Sequence, residues 1–403
     1  MKVSATRVGG FIIVLLLLPI TYAESAIELG EVVKLGDSDM GLLDSTIDPM
    51  GKDVLAFGME SNIILIDSNR PEENINLTWN GDTNIHDADY HPGGKTAILV
   101  GEKGVVLRYT KENNDINRVG NYLQFSNNNL KSVAWNADGS WAYIGSEEGN
   151  IWRFRSNGMN NSEVYLLSES IFSEVSSIDC HNEINICIIS TIYDGIGIID
   201  SAHEVQMIGG VNYPWLDVSC PQGNSCVAIS NEMNIGLIEL NLNNARNSSL
   251  TITHLDGVTG QMRTINYQDS SRCLISVVPF ALIEYNTTTK KAFLWLENSD
   301  IKEFNPSISD ERIITTWTTG ENSGWILTSQ GTAIKYNSKT INENNRFVEA
   351  IIATMTVIVA IGIILWIIVN LAPRFNDRLE KTFSKGKKQK KVRNTQKGRN
   401  NKR

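Results

Sequence analysis

The sequence predicts an all-β fold: a seven-bladed β-propeller whose N-terminal strand closes the last blade, with one C-terminal transmembrane helix after it. Three observations carry this. A unit of three short strands recurs seven times along the chain. The units start roughly 40 to 50 residues apart, the period of a four-stranded propeller blade. Near the C-terminus, Ala350 to Val369 is a run of twenty residues without a charge.

The clearest unit runs from Leu130 to Arg155. It reads Ser132-Val133-Ala134-Trp135, the turn Asn136-Ala137-Asp138-Gly139, Trp141-Ala142-Tyr143-Ile144-Gly145, the turn Glu147-Glu148-Gly149, and Ile151-Trp152-Arg153-Phe154. The strands are short and rich in β-branched and aromatic residues. Gly139 and Gly149 stand where hairpin turns call for positive φ. The unit is therefore an antiparallel a–b–c meander. Leu42 to Asp67 and Ile85 to Tyr109 repeat it, with turns Asp48-Pro49-Met50-Gly51 and His91-Pro92-Gly93-Gly94. Val175 to Asp200, Trp215 to Glu239 and Met262 to Tyr285 repeat it with degraded turns. The seventh copy is Ile313 to Tyr336, with Trp317 aligned to Trp135 and Gly331 to Gly149.

These residues resemble WD40-like propeller repeats. Val133 to Gly139 followed by Gly145 to Trp152 looks like one such repeat, and the likeness covers residues 27–336. No Gly-His pair opens the repeats and no Trp-Asp pair closes strand c, so the chain is similar to divergent, prokaryote-type members. The resemblance implies architecture and little about activity.

Each unit needs a fourth, outer strand. Six candidates follow strand c: Ile75 to Trp79, Val119 to Phe125, Val164 to Leu167, Val205 to Ile208, Leu250 to His254 and Phe293 to Leu296. The seventh unit lacks one. The alternating segment Ile27 to Leu35 supplies it from the other end of the domain, which removes the open edges.

Residues 1–23 read as a secretory signal: Lys2 and Arg7, an apolar core from Phe11 to Ile20, and Thr21-Tyr22-Ala23 before the cleavage site. Residues 24–336 form the ectodomain, 337–347 a linker, 348–371 the membrane helix and 372–403 a basic tail. An apolar run of this length crosses about 30 Å of hydrocarbon. From Pro373 onward there are thirteen Lys or Arg and two Asp or Glu, a net charge of +11. The first 23 residues carry +2 and the whole chain −9, which leaves −22 for the ectodomain. Positive charge stays on the cytoplasmic side, so the propeller is expected outside and the C-terminus inside the cell membrane. The tail suits anionic lipid headgroups or serves as a topology signal alone; no nucleic acid is expected as partner.

The cysteines suit an oxidising compartment. Cys180 with Cys187, and Cys220 with Cys226, bracket a–b hairpins at matching places in two units, within disulfide reach. Cys273 has Tyr267 where a partner would stand and is expected to be a buried free thiol. Four sequons, at Asn76, Asn160, Asn247 and Asn286, all fall on the c–d connections or strand d. The linker leaves from strand c of the last blade, so the a–b and c–d loops are expected to face the membrane. The face built from d–a and b–c loops is left for a protein or surface ligand.

Chemistry is sparse. His86, His91, His181, His203 and His254 are scattered over different units without metal-ligand spacing. No nucleophile elbow and no phosphate-cradling loop is present, and no helix is expected in the ectodomain. Strand a carries two recurring columns of small or acidic residues. One is Thr46, Asp89, Ala134, Asp179, Ser219, Asn266 and Thr316; the other is Asp44, Asp87, Ser132, Ser177, Asp217, Thr264 and Ile314. Asp44, Asp87, Asp89, Asp179 and Asp217 are thus expected to line the channel, because only small side chains fit where inner strands crowd. A channel-bound cation such as Ca²⁺ is the alternative role for such carboxylates; no other cofactor is implied. On the opposite loops, Glu60, Glu102, Glu147, Glu148, Asp194 and Glu232 make the b–c turns acidic, with Tyr213-Pro214-Trp215 beside them. Tyr213, Trp215, Glu102, Glu147, Glu148 and Asp194 are the candidate binding residues; Trp215 aligns with Leu130 and Ile85, so its alternative role is the first core residue of strand a, and Tyr213 is the better candidate for exposure. The expected function is a membrane-anchored scaffold or receptor without catalysis. The alternatives are a propeller enzyme of hydrolase or quinone-dependent dehydrogenase type, or a secretion or assembly factor.

Overall fold

A computed structural model describes residues 25–339 except 120–124, 126–127, 157–161, 169–170, 221, 257, 270 and 321–322, together with Met355, 358–360 and 362–363. The chain divides into two compact units, Glu24–Lys339 and the two termini, Met1–Ala23 with Thr340–Arg403. In the terminal unit the described residues are helical. No helix among the described residues is long and apolar enough to cross a membrane. The expected signal peptide, most of the expected span and the basic tail lie outside the described residues.

Glu24–Lys339 forms seven four-stranded antiparallel sheets. β1 (Ile27–Lys34) precedes blade 1, which holds β2 (Leu42–Ile47), β3 (Asp53–Gly58), β4 (Ile63–Asp67) and β5 (Asn74–Leu77). Blade 2 holds β6 (Ile85–Tyr90), β7 (Thr96–Gly101), β8 (Val106–Thr110) and β9 (Asp115–Arg118). Blade 3 holds β10 (Leu130–Trp135), β11 (Ala142–Ser146), β12 (Ile151–Ser156) and β13 (Ser162–Ser168). Blade 4 holds β14 (Val175–Cys180), β15 (Cys187–Thr191), β16 (Ile196–Ile199) and β17 (Val205–Gly209). Blade 5 holds β18 (Trp215–Ser219), β19 (Ser225–Ser230), β20 (Asn234–Glu239) and β21 (Ser249–His254). Blade 6 holds β22 (Gln261–Tyr267), β23 (Arg272–Val278), β24 (Ala281–Asn286) and β25 (Lys291–Leu296). Blade 7 holds β26 (Ile313–Gly320), β27 (Ser323–Thr328) and β28 (Thr332–Ser338), and β1 completes it.

β1 pairs antiparallel with β28, Ile27 opposite Ser338 and Lys34 opposite Thr332. The N-terminal strand thus supplies the missing outer strand, as its alternation predicts. The inner strands touch in a ring: β2 against β6, then onward through β10, β14, β18 and β22 to β26, which returns to β2.

Apolar packing explains the stacking. Strands b and c are buried on both faces, so they read as continuous apolar runs such as Val54–Phe57 and Ile63–Ile66. Each core cluster straddles two blades. Leu55, Phe57 and Leu65 pack on Ala88, Leu99 and Tyr109, and Leu42, Val54 and Ile64 pack on Ile314, Trp317 and Trp325. The last cluster is where the ring closes. Gly149 has φ +85°, and a Cβ there would lie 2.5 Å from the Ile171 carbonyl oxygen, so this turn requires glycine.

Three expectations need correction. The outer strand of blade 2 is Asp115–Arg118, not Val119 to Phe125. A tight turn with Asn114 at φ +53° brings Asp115 opposite Thr110, so pairing starts earlier. A seven-residue helix, α1 (Asn298–Phe304), lies in the connection from blade 6 to blade 7 and buries only Ile301. In blade 7 the strand-a columns slip by one residue. Ile313 pairs with Thr328 as Leu130 pairs with Ser146, so Thr315 and Trp317 hold the registers of Ser132 and Ala134. The slip arises because this hairpin continues through an irregularity between Thr318 and Gly320.

Candidate functional site at the channel mouth

The inner strands enclose a channel cavity of about 380 Å³ lined from all seven blades. Its five carboxylates, Asp44, Asp87, Asp89, Asp179 and Asp217, all line it. Most serve as staples between blades. Asp87 accepts from the N–H of Ala88 on its own strand and of Val133 on the next blade, both at 2.7 Å. Asp89 accepts from Trp135 N at 2.7 Å. Asp179 accepts from Cys180 N at 2.9 Å and Cys220 N at 2.6 Å. Asp217 accepts from Val218 N at 2.8 Å, Ser177 Oγ at 2.9 Å and Ile265 N at 2.9 Å. Adjacent inner strands do not pair, so their backbone N–H groups need side-chain acceptors; this is why the columns are acidic. Among the described residues, Asp44 accepts only from its neighbour, Ser45 N, at 2.7 Å.

Burial raises the pKa of all five. Asp44 and Asp89 reach about 8, Asp179 about 7 and Asp217 about 6, and Asp87 lies well above its ordinary value. Repulsion from a second carboxylate adds to burial at Asp44, Asp87, Asp89 and Asp179. Among the described residues no three His, Cys, Asp or Glu side chains come together to hold a metal ion.

The mouth on the d–a and b–c side differs in charge. The residue after the first core residue of strand a forms a further column: Leu43, His86, Lys131, Ser176, Leu216, Arg263 and Ile314 line the cavity, with Arg312 beside them. This column escaped the sequence reading, although it was visible one residue before the acidic one. Lys131 lies 3.8 Å from Glu147. Arg263 donates to Gln261 Oε1 at 3.1 Å. Among the described residues neither Arg263 nor Arg312 has a carboxylate within 4.0 Å, and Arg312 makes no side-chain hydrogen bond. Burial and the neighbouring Arg263 charge lower the Arg312 pKa, partly offset by Asp44. His86 faces the same mouth, 3.9 Å from Glu102 and without a hydrogen bond at Nε2.

The sequence-derived binding residues have varied placements. Trp215 is fully buried and donates its Nε1 to Gly210 O at 2.7 Å, so it offers no surface to a partner. Tyr213 is half-buried against that ring, with centroids 5.6 Å apart. Glu102 accepts from Asn84 and Glu147 from Asn129, each at 2.9 Å; Glu148 is exposed. Asp194 Oδ2 accepts from Phe172 N, Ser173 N and Ser173 Oγ at 2.7–2.9 Å, which latches two loops together. That latch displays three large apolar side chains the sequence reading passed over: Phe172, Tyr193 and Val211, 84%, 62% and 56% exposed. They stand on adjoining loops, since Asn212 N donates to Tyr193 O at 2.9 Å.

Elsewhere Cys180–Cys187 and Cys220–Cys226 are disulfides, and Cys273 is a buried free thiol. Asn76 and Asn247 are exposed, Asn286 is half-buried, and Asn160 lies outside the described residues. Four histidines bond to their surroundings: His91 to Gly139 O, His181 to Gly223 O, His203 to Tyr143 and His254 to Asn234.

No family model matches the sequence, and no characterised protein matches it. Solved structures do match in shape. One, described as YCF48 bound to D1 peptide, has a TM-score of 0.57 at 12% identity, over 79% of this chain and 97% of that one. Another, the Cps50 (Swd1) β-propeller domain of Myceliophteria thermophila, has a TM-score of 0.60 at 10% identity, over 78% of this chain and 100% of that one. The likeness is one of fold.

Proposed function

We propose that the chain is a membrane-anchored propeller, held outside the cytoplasm, whose d–a and b–c face binds a protein partner. The observation that carries this is the patch of Phe172, Tyr193 and Val211, displayed on loops that Asp194 holds rigid. Large apolar side chains kept in water on an ordered surface are the usual anchors of an interface. A propeller of the same fold has been seen with a peptide bound, which is compatible with such a role. A scaffold also fits a channel whose carboxylates are spent on holding blades together. The anchor rests on the uncharged run Ala350 to Val369 and the basic residues after it.

The test is site-specific photo-crosslinking of the full-length chain in its native cells, with the photoreactive residue at 172, 193 or 75. Ile75 is comparably exposed, at 49%, but sits on an outer strand. A discrete adduct from 172 and 193 but not from 75 is expected. Equal adducts at all three positions, or none at 172 and 193, would refute the reading.

A further inference from the structure

Among the described residues the two guanidiniums at the channel mouth form no salt bridge. Arg263 and Arg312 line the same mouth, Arg263 close enough to oppose the charge of Arg312, and no carboxylate among the described residues lies within salt-bridge distance of either. Of the carboxylates lining the cavity, Asp44 is the one that acts on Arg312. It is itself held largely protonated near neutral pH by burial and by Asp217, so it compensates little. Arg312 is half-buried and Arg263 exposed, so the repulsion falls mainly on Arg312, and an incoming anion relieves that cost. Guanidinium pairs select planar carboxylates, because their forked N–H groups match two oxygens. Lys131, 3.8 Å from Glu147, stands at the same mouth. The apolar patch on the same face supplies contact area beyond the charges.

From this we infer that the channel mouth is a carboxylate-recognition site, and that it takes an acidic side chain of a peptide partner seated between Arg263 and Arg312, with apolar residues of that peptide on Phe172, Tyr193 and Val211. This deepens the partner-binding reading above and rests on it.

The test uses the full-length chain and a fluorescent peptide of alternating Glu and Leu residues, with its Gln-for-Glu counterpart. Fluorescence anisotropy should show the Glu peptide binding at least tenfold more tightly than the Gln peptide at low salt. R263E and R312E should each weaken the Glu peptide at least tenfold, and R312K by less. R246E, on the outer rim where Arg246 pairs with Glu204, should change it less than twofold. F172A should weaken both peptides. Equal binding of the Glu and Gln peptides would overturn the inference without any variant being made. So would citrate binding to the same arginines while the Glu peptide fails to bind, since the site would then take a small free acid. If crosslinking at 172 and 193 succeeds but the charge reversals leave the Glu peptide unaffected, the face binds a partner and the carboxylate site is refuted.

Discussion

The two faces of the ring use the same residue types to opposite ends. On the a–b and c–d side, charged and aromatic groups pair with one another within and across blades. Lys111 reaches from blade 2 to Asp48 at 2.5 Å and Asp53 at 2.6 Å on blade 1. Asn185 donates to Asp138 at 2.8 Å across the next junction but one. The Arg153 guanidinium stacks 4.6 Å from Trp141 and 4.8 Å from Tyr165, while Arg155 pairs with Glu163 at 2.7 Å. On the d–a and b–c side, among the described residues, Arg263 and Arg312 form no salt bridge, His86 Nε2 has no hydrogen bond, and Phe172 stands in water. Matched groups hold the blades; unmatched ones are available to a partner. Residue type alone does not separate the two uses, because arginine and aromatics crowd both faces.

Mutations should therefore cost stability on one face and binding on the other. Lys111→Met strands the buried Asp48 carboxylate and should lower unfolding free energy by about 2–3 kcal/mol in urea titrations, less than for a fully buried pair because Lys111 is partly exposed. Replacing Cys220 and Cys226 together by serine should cost about 2 kcal/mol by the same measurement, since the bridge closes a short loop. Neither change should alter crosslinking at residue 193.

The carboxylate layer between the faces gives a pH signature. The folded chain holds protons on Asp44 and Asp89 up to about pH 8, and on Asp217 up to about pH 6, because burial disfavours their charged forms. The unfolded chain releases them near pH 4. The folded state thus binds more protons between those limits, and this contribution to stability falls as pH rises from about 4 to about 8. The urea midpoint should decline over that range, and Asp44→Asn, which keeps the acceptor for Ser45 N, should flatten the decline. Acid-induced loss of stability over pH 8 to 5 would contradict the assignment. The smallest stability effects belong to the open face: Phe172→Ala should stay within about 0.5 kcal/mol of the parent in thermal melts, while abolishing its share of partner binding.

Much of the fold was legible because glycines and strand periods repeat. Gly149 and Gly331 both sit at φ +85° in equivalent turns, so aligning units by their turns found the blades and the strand missing from the seventh. The same device misplaced Ile314 and Thr316, since an irregular hairpin lengthens the path between turn and strand. The acidic columns were visible as a spacing, but their work as acceptors for Val133, Cys220 and Ile265 depends on the neighbouring blade. The cationic mouth differs: Lys131 and Arg263 stand in a mixed column with Leu43, Ser176 and Leu216, and Arg312 lies in a loop outside any column, so the charges meet only when the ring brings them to one opening. Trp215 stood as a candidate because Tyr213-Pro214-Trp215 lies beside the acidic b–c turns, whereas its ring is covered by blades 4 and 5, as its alignment with Leu130 and Ile85 allowed.

Hydrogen exchange of the full-length chain with and without the acidic peptide tests the difference between the faces most directly. Protection confined to segments containing Phe172, Tyr193, Val211, Arg263 and Arg312, with 111 and 153–165 unchanged, is the predicted result. Protection centred on Arg153, Tyr165 or Lys111 would contradict it and would place recognition on the a–b and c–d face.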